Sequence, residues 1–133
     1  MTIIVGYVPT KEGDAALERA VEECQLRKTK LVVINSERGG RSFTDEAAQA
    51  KDEGKAKVDA RLKDTGVDYE LRMVVRGNEP GEDLIEVAEE LDADLIVIGL
   101  RRRTPVGKLI LGSNAQRILL DAPCAVLAVK ASS

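Results

Sequence analysis

The stretch of this sequence best suited to chemistry is a basic loop that leads into a helix. Within eight residues it carries four positive charges, in a chain whose formal net charge is −3: Arg101, Arg102, Arg103 and Lys108. Arginine presents a planar fork of N–H donors that matches the oxygen atoms of a phosphate group. The loop therefore predicts an anionic ligand, while the same charges would also suit a solvated surface loop.

The residues after the loop predict the start of a helix with free backbone donors. Gly112, Ser113 and Asn114 open an amphipathic segment, and Ser113 and Gln116 have the spacing of a capping box. The first amides of a helix lack partners within the helix, and the helix dipole makes this end positive. These residues suit a phosphate site, and they suit an ordinary helix cap equally well.

A buried strand precedes the basic loop. Residues 95–98 form a continuous apolar run, which is typical of a strand covered on both faces of a parallel sheet. Gly99 follows this run and is expected to allow a tight turn at the carboxyl end of the strand. Strand, glycine, basic loop and helix start together have the layout of an anion site.

The remaining residues predict one α/β domain over residues 1–133, a doubly wound parallel sheet with helices on both faces. Strands are expected at residues 2–8, 31–34, 69–75, 95–98 and 125–129. Helices are expected at residues 13–27 and 45–63, from Pro80 to about Leu91, and from Gly112 to Ala122. In the expected strand order, 3-2-1-4-5, the carboxyl ends of strands one and four meet at a switch point where ligands bind. Val8, Pro9 and Thr10 would face Gly99 and the basic loop there, although Thr10 also suits the cap of the first helix.

Apolar residues at helical spacing predict the core faces of the helices. They are Ala16, Leu17, Ala20, Val21 and Cys24 in the first helix, Val58 and Leu62 in the second, Leu84, Ile85, Ala88 and Leu91 in the third, and Ala115, Ile118, Leu119 and Ala122 in the fourth. The second helix is expected to pack loosely and to end at Thr65 and Gly66. The third strand alternates between apolar and polar residues, which indicates a sheet edge. Both cysteines, Cys24 and Cys124, are interpreted as core residues.

Composition excludes several classes of function. The net charge of −3 argues against general nucleic-acid binding, and no apolar run approaches the length of a membrane span. The sequence contains no histidine, and we recognise neither a metal site nor a nucleophile with a partner base, so catalysis ranks last among the hypotheses. No secretory signal is visible at the N-terminus, so a cytoplasmic location is expected.

The whole chain resembles the universal stress protein family. The similarity runs from Ile3-Ile4-Val5-Gly6 through Asp94–Gly99 to the segment 122–127. The most specific part is the family's ATP motif, G-x2-G-x9-G-[ST]. Gly99 stands at the first glycine and Gly112-Ser113 close the motif at the right distance, while Arg102 stands where the second glycine is expected.

The resemblance implies a homodimeric α/β domain, often paired through the last strand, which here is Ala125–Val129. One subgroup of the family binds ATP or AMP with little or no established catalysis, and another does not bind nucleotide. The resemblance also places the backbone at Ser36 beside the adenine edge. The acidic residue that ATP-binding members carry after strand one is missing here, and Val8, Pro9, Thr10 and Lys11 occupy the region.

Two functions follow from these observations. The first is a regulatory module that binds ATP, ADP or AMP at the switch point, and the second is a dimeric stress-response interaction protein that does not bind nucleotide. The glycine spacing and local positive charge favour the first, and Arg102 with the missing acid favours the second.

Overall fold

Short runs of mostly apolar residues form five parallel strands in the computed structural model, which describes residues 2–7, 11–36, 56–74, 80–100 and 113–130. The strands are β1 (Thr2–Gly6), β2 (Lys30–Ser36), β3 (Tyr69–Val74), β4 (Leu95–Leu100) and β5 (Ala125–Lys130). Their order across the sheet is β3-β2-β1-β4-β5, which confirms the predicted topology. The chain therefore crosses from one side of the sheet to the other between β3 and β4.

Helices connect successive strands, as a parallel sheet requires. They are α1 (Lys11–Arg27), α2 (residues 56–62), α3 (Pro80–Leu91) and α4 (Ser113–Asp121). The prediction that Pro80 begins a helix is confirmed, since its fixed φ and missing N–H suit a first helical position. The predicted start of the second helix, at residue 45, lies outside the described residues.

Alternate side chains of the central strands enter two hydrophobic cores, one on each face of the sheet. On β1, Ile3 and Val5 pack with α1 and α2, whereas Ile4 packs with α3 and α4. All three are at most 1% exposed. A strand buried on both faces has no place for polar residues, which explains the continuous apolar runs of β1, β2 and β4. Strand β3 lies at the sheet edge, as its alternating pattern predicted.

The C-terminal end of α2 is fixed by a threonine and a glycine. The Thr65 hydroxyl donates a hydrogen bond to the carbonyl oxygen of Leu62 at 2.7 Å, and Gly66 follows with a φ of 75°. That left-handed conformation is open to glycine without a steric cost, so the predicted stop at these two residues is confirmed.

The predicted core is right for α1 and for Val58 and Leu62 of α2, and wrong for parts of α3 and α4. Ile118 is buried, but Leu119 is 41% exposed and Leu120 is 77% exposed. Ile118 occupies the position that faces the sheet, and α4 is a short helix that presents a narrow apolar stripe there. In α3, the predicted core residue Ile85 is only partly buried and lies outside the core cluster, whereas the buried Val87 was not predicted.

The cysteines behave as the sequence predicted. Cys24 is 2% exposed within the core under α1, and burial raises the pKa of its thiol to about 11. Cys124 is partly buried against the core under α3 and α4, and burial likewise raises its pKa. Both thiols stay protonated near neutral pH, which makes them poor nucleophiles.

Helix α2 is held by the burial of Val58 and Leu62, which are 0% and 1% exposed. We therefore expect Leu62→Ala to lower the free energy of unfolding by about 2–5 kcal/mol, because it removes buried methyl groups and leaves a cavity. Leu120→Ala is the matched control, and it should change the free energy by less than about 0.5 kcal/mol because that side chain is exposed. Urea denaturation measures both, and equal effects would contradict the docking of α2.

Candidate functional site

The carboxyl ends of β1, β2 and β4 lie side by side at one edge of the sheet. Val5 of β1 is paired with Val33 of β2 and with Val97 of β4, so these three residues share one level. Gly99 lies two residues beyond that level, and Ser36 lies three residues beyond it. Because β1 separates β2 from β4, these two positions are about 10 Å apart across the sheet.

The structure places four of the predicted site residues. Gly99 lies in β4, Ser36 is the last residue of β2, and Ser113 and Asn114 are the first two residues of α4. The other predicted site residues lie outside the described part of the chain: Val8, Pro9, Thr10, Arg101, Arg102, Arg103 and Gly112. The described positions belong to segments that end or begin at the carboxyl edge of a parallel sheet, as predicted.

The interpretation of Gly99 as a turn residue is wrong. Gly99 lies within β4, where it is paired with Val129, and the strand continues to Leu100. A β-carbon built on Gly99 would lie 2.6 Å from the carbonyl carbon of Glu12 and still closer to its carbonyl oxygen. The backbone of the first turn of α1 therefore rests directly on β4, and this contact explains why glycine is needed at position 99.

A buried tyrosine connects the end of β1 with α1. Tyr7 is 2% exposed, its amide donates to the carbonyl oxygen of Ile34 at 2.9 Å, and its hydroxyl donates to Asp14 Oδ1 at 3.3 Å. The other oxygen of that carboxylate, Asp14 Oδ2, lies 3.4 Å from Arg61 Nη2 of α2. The first turn of α1 is thus held by the side chain of Tyr7, which follows β1, and by that of Arg61 in α2.

Burial and charge together set the titration of Tyr7. Burial is the larger cause of its raised pKa, and the charge of Asp14 and the hydrogen bond to it raise the pKa further. The guanidinium of Arg61 acts in the opposite direction. The phenol therefore stays protonated at neutral pH and serves as a hydrogen-bond donor to Asp14.

The helix starts at this edge differ in charge. The first turn of α1 contains Glu12 and Asp14, and that of α3 contains Glu82 and Asp83, of which Asp83 is fully buried. Carboxylates at these positions offset the positive end of the helix dipole. The first turn of α4 contains no acidic residue. Of these three helices, α4 offers the most favourable start for an anion.

A salt bridge links α4 to α3 near the carboxyl edge. Arg117 Nη2 lies 3.5 Å from Glu82 Oε1, and Arg117 Nε lies 2.8 Å from Asp121 Oδ2. All three side chains are more than one third exposed, so these ion pairs contribute little stability. Their consequence is geometric, because Arg117 joins the first turn of α3 to the middle of α4.

The described residues contain neither a group suited to a metal ion nor a helix suited to a membrane. Within those ranges, no group of three or more cysteine, aspartate or glutamate residues could hold a metal ion. None of the helices described is long and apolar enough to cross a membrane.

Sequence patterns did not predict that Tyr7, Asp14 and Arg61 form a connected group. Tyr7 had a detectable signal, since it continues the alternation of Ile3 and Val5 toward the α1 side of the sheet. Asp14 stands near the start of α1, where acidic residues are common, so its type alone did not distinguish it. The contact between Arg61 and Asp14 is tertiary and had no local signal.

The pairing of Tyr7 with Asp14 predicts a specific change in titration. We expect Asp14→Asn to lower the pKa of Tyr7, because the carboxylate charge that opposes ionisation is removed. Arg61→Gln should raise it, because a cation that favours the tyrosinate is lost. The chain contains two tyrosines, so ¹³Cζ-tyrosine NMR would resolve both titrations.

Tyr69 supplies the internal control for this measurement. Its hydroxyl donates to Asp59 Oδ1 at 2.9 Å, and that hydrogen bond is the main cause of its raised pKa. Asp59→Asn should therefore lower the pKa of Tyr69 and leave that of Tyr7 unchanged. A pKa of Tyr7 that does not respond to Asp14→Asn would contradict the hydrogen bond.

Comparison with known proteins identifies relatives over nearly the full length of the chain. The Universal stress protein family matches residues 1–130. A universal stress protein of Mycolicibacterium smegmatis is 46% identical over 128 residues, which cover 96% of each chain.

Solved structures of similar proteins include nucleotide complexes. The universal stress protein from Archaeoglobus fulgidus in complex with dAMP has a TM-score of 0.81 and 30% identity, and the match covers 98% of each chain. A universal stress protein in complex with cAMP has a TM-score of 0.76 and 27% identity, with 99% of this chain and 98% of that one covered. Together with the parallel sheet and its switch point, these matches show that the chain belongs to the universal stress protein family.

Proposed function

We propose that this protein is a regulatory module that binds an adenine nucleotide at the carboxyl ends of β1 and β4. The observation that carries the proposal is the start of α4, which has no acidic residue in its first turn whereas α1 and α3 have two each. An anionic phosphate is stabilised by the positive end of a helix dipole and by the free amides there. The dAMP and cAMP complexes of similar proteins support adenine nucleotides as the ligand class.

In the proposed site, the phosphates lie against the backbone amides of Gly112, Ser113 and Asn114. The hydroxyl of Ser113 adds a donor, and the guanidinium groups of Arg101, Arg102 and Arg103 supply positive charge in place of a backbone approach at position 102.

The base and ribose would lie toward β1 and β2. In the sequence, Val8, Pro9 and Thr10 come shortly after β1, and β2 ends at Ser36 at the same edge, so we assign both segments to the proposed adenine pocket. Gly99 contributes to this site by its packing against the first turn of α1.

The affinity should be modest, because the segment from Val8 to Thr10 contains no acidic residue for the ribose. A charge-assisted hydrogen bond is worth about 1.5–3 kcal/mol. Its loss corresponds to roughly tenfold to a hundredfold weaker binding than in a member that retains the acid.

Calorimetry with ATP, ADP and AMP tests the proposed site. We expect the double variant Gly112→Val with Ser113→Ala to abolish binding, because the valine blocks the approach of the phosphate and the hydroxyl is lost. Leu120→Ala is the matched control on α4, and it should bind as the wild type does because Leu120 is exposed near the other end of the helix. If no nucleotide binds below millimolar concentration, the proposed function is wrong.

We also propose that β5 pairs with its symmetry mate to form a homodimer. The two edges of the sheet differ: β3 carries Glu70 and Arg72, with Lys30 of β2 within 3.3 Å of Glu70, whereas Ala125–Val129 contains no charge. Charged side chains protect an edge strand from pairing, and a partly buried apolar edge favours it. A two-fold axis limits the assembly to two copies. The same dimer is compatible with the alternative function, that of a stress-response interaction protein that does not bind nucleotide.

Sedimentation velocity tests the dimer at micromolar concentration. Ala128→Lys should shift the protein toward monomer, because it introduces a charge into the proposed pairing edge. Leu127→Pro, which removes a backbone donor, should give monomer or insoluble protein. Arg72→Lys at the opposite edge is the control and should leave the dimer intact. A wild-type protein that sediments as a monomer would rule out this interface.

A further inference from the structure

Gly99 is the point at which the first turn of α1 rests on the sheet. A β-carbon there would lie 2.6 Å from the carbonyl carbon of Glu12 and 3.1 Å from its Cβ. Carbon atoms in contact are normally about 3.5–4.0 Å apart, so a methyl group at this position requires a movement of about 1 Å. The obstacle is mostly backbone, which cannot rotate away as a side chain can.

A second contact fixes the same turn from the side of β1. Asp14, two residues after Glu12, accepts a hydrogen bond from the buried hydroxyl of Tyr7 and lies 3.4 Å from Arg61 Nη2. Tyr7 is itself bound to β2 through its amide. The start of α1 is therefore held against β4 by a close contact and against β1 by a hydrogen bond.

We propose that Gly99 is a positioning residue: by lacking a side chain, it sets how closely the first turn of α1 approaches β4 at the switch point. A methyl group at position 99 moves the first turn of α1, which begins at Lys11, away from β4.

This inference rests on the proposed function for its effect on the ligand. Within the family's ATP motif, it assigns the first glycine to the packing of α1 and leaves the contact with phosphate to the later residues, Gly112 and Ser113. Position 99 then acts on nucleotide affinity indirectly, through the placement of the first turn of α1 beside the switch point. Because the loss of one hydrogen bond weakens binding by roughly tenfold, a displacement of about 1 Å at the site should weaken binding by about that factor or more.

The test compares Gly99→Ala with Gly6→Ala. Both substitutions add one methyl group near the carboxyl end of a central strand, but a β-carbon on Gly6 would meet Leu84 Cδ1 at 2.8 Å. That atom is the end of a flexible side chain and can move aside. We expect Gly99→Ala to weaken AMP binding at least about tenfold, and Gly6→Ala to stay within about threefold of the wild type.

The pKa of Tyr7 reports the position of α1 without any ligand. In Gly99→Ala, α1 carries Asp14 away from the hydroxyl, so the pKa of Tyr7 should fall while that of Tyr69 stays unchanged. Gly6→Ala should change neither pKa, because its methyl group enters the opposite face of the sheet, where Leu84 packs. A variant that was merely less stable would leave both pKa values at their wild-type positions.

Three results overturn the inference. They are AMP binding by Gly99→Ala within threefold of the wild type, an unchanged pKa of Tyr7 in that variant, and the absence of a nuclear Overhauser effect between the Gly99 Hα and Glu12 Hβ protons in the wild type. The last measurement decides the matter even where Gly99→Ala does not fold. If the wild type binds no AMP, the proposed function is wrong. The pKa of Tyr7 and the Overhauser effect still decide whether Gly99 sets the position of α1 on β4.

Discussion

The burial of the central strands on both faces of the sheet is the constraint on which the rest of the structure depends. Ile3, Ile4, Val5, Ile96 and Val97 are at most 1% exposed, although neighbouring residues point in opposite directions. Helices must therefore cover both faces, and parallel strands require a helix between each pair. Because the strands are parallel, their carboxyl ends all lie at one edge of the sheet. Residues that follow the strands can form a site at that edge without taking part in the core.

The same constraint explains which parts of the fold could be predicted from the sequence. The order of elements, the sheet order and the two edge strands depend on hydrophobic periodicity and chain connectivity, which are local properties of the sequence. The stop of α2 at Thr65 and Gly66 depends on turn chemistry and was predicted for that reason. In contrast, the exposure of Leu119 depends on how α4 is rotated and where it ends, which periodicity over nine residues does not determine.

Part of the candidate site was predictable and part was not. Segments at the carboxyl ends of β1, β2 and β4 follow from the topology, so Ser36, Gly99 and Ser113 were assigned to the correct edge. The contact of Asp14 with Tyr7 and Arg61 joins three elements, and no spacing in the sequence predicts it. The role of Gly99 was missed for a similar reason, because a glycine that permits a turn and a glycine that permits a close approach look alike in sequence.

These two possible roles of a glycine affect how the family motif should be interpreted. The packing of α1 on β4 requires a glycine at position 99 whether or not a ligand binds, so its presence is weak evidence for nucleotide. The start of α4 is separate evidence, because its first turn contains no acidic residue, whereas those of α1 and α3 contain two each. In the proposed site, Arg102 fits this division, since a guanidinium would supply donors to phosphate where a glycine would allow a backbone approach. The nucleotide hypothesis therefore depends more on the charge around α4 than on the number of motif glycines retained.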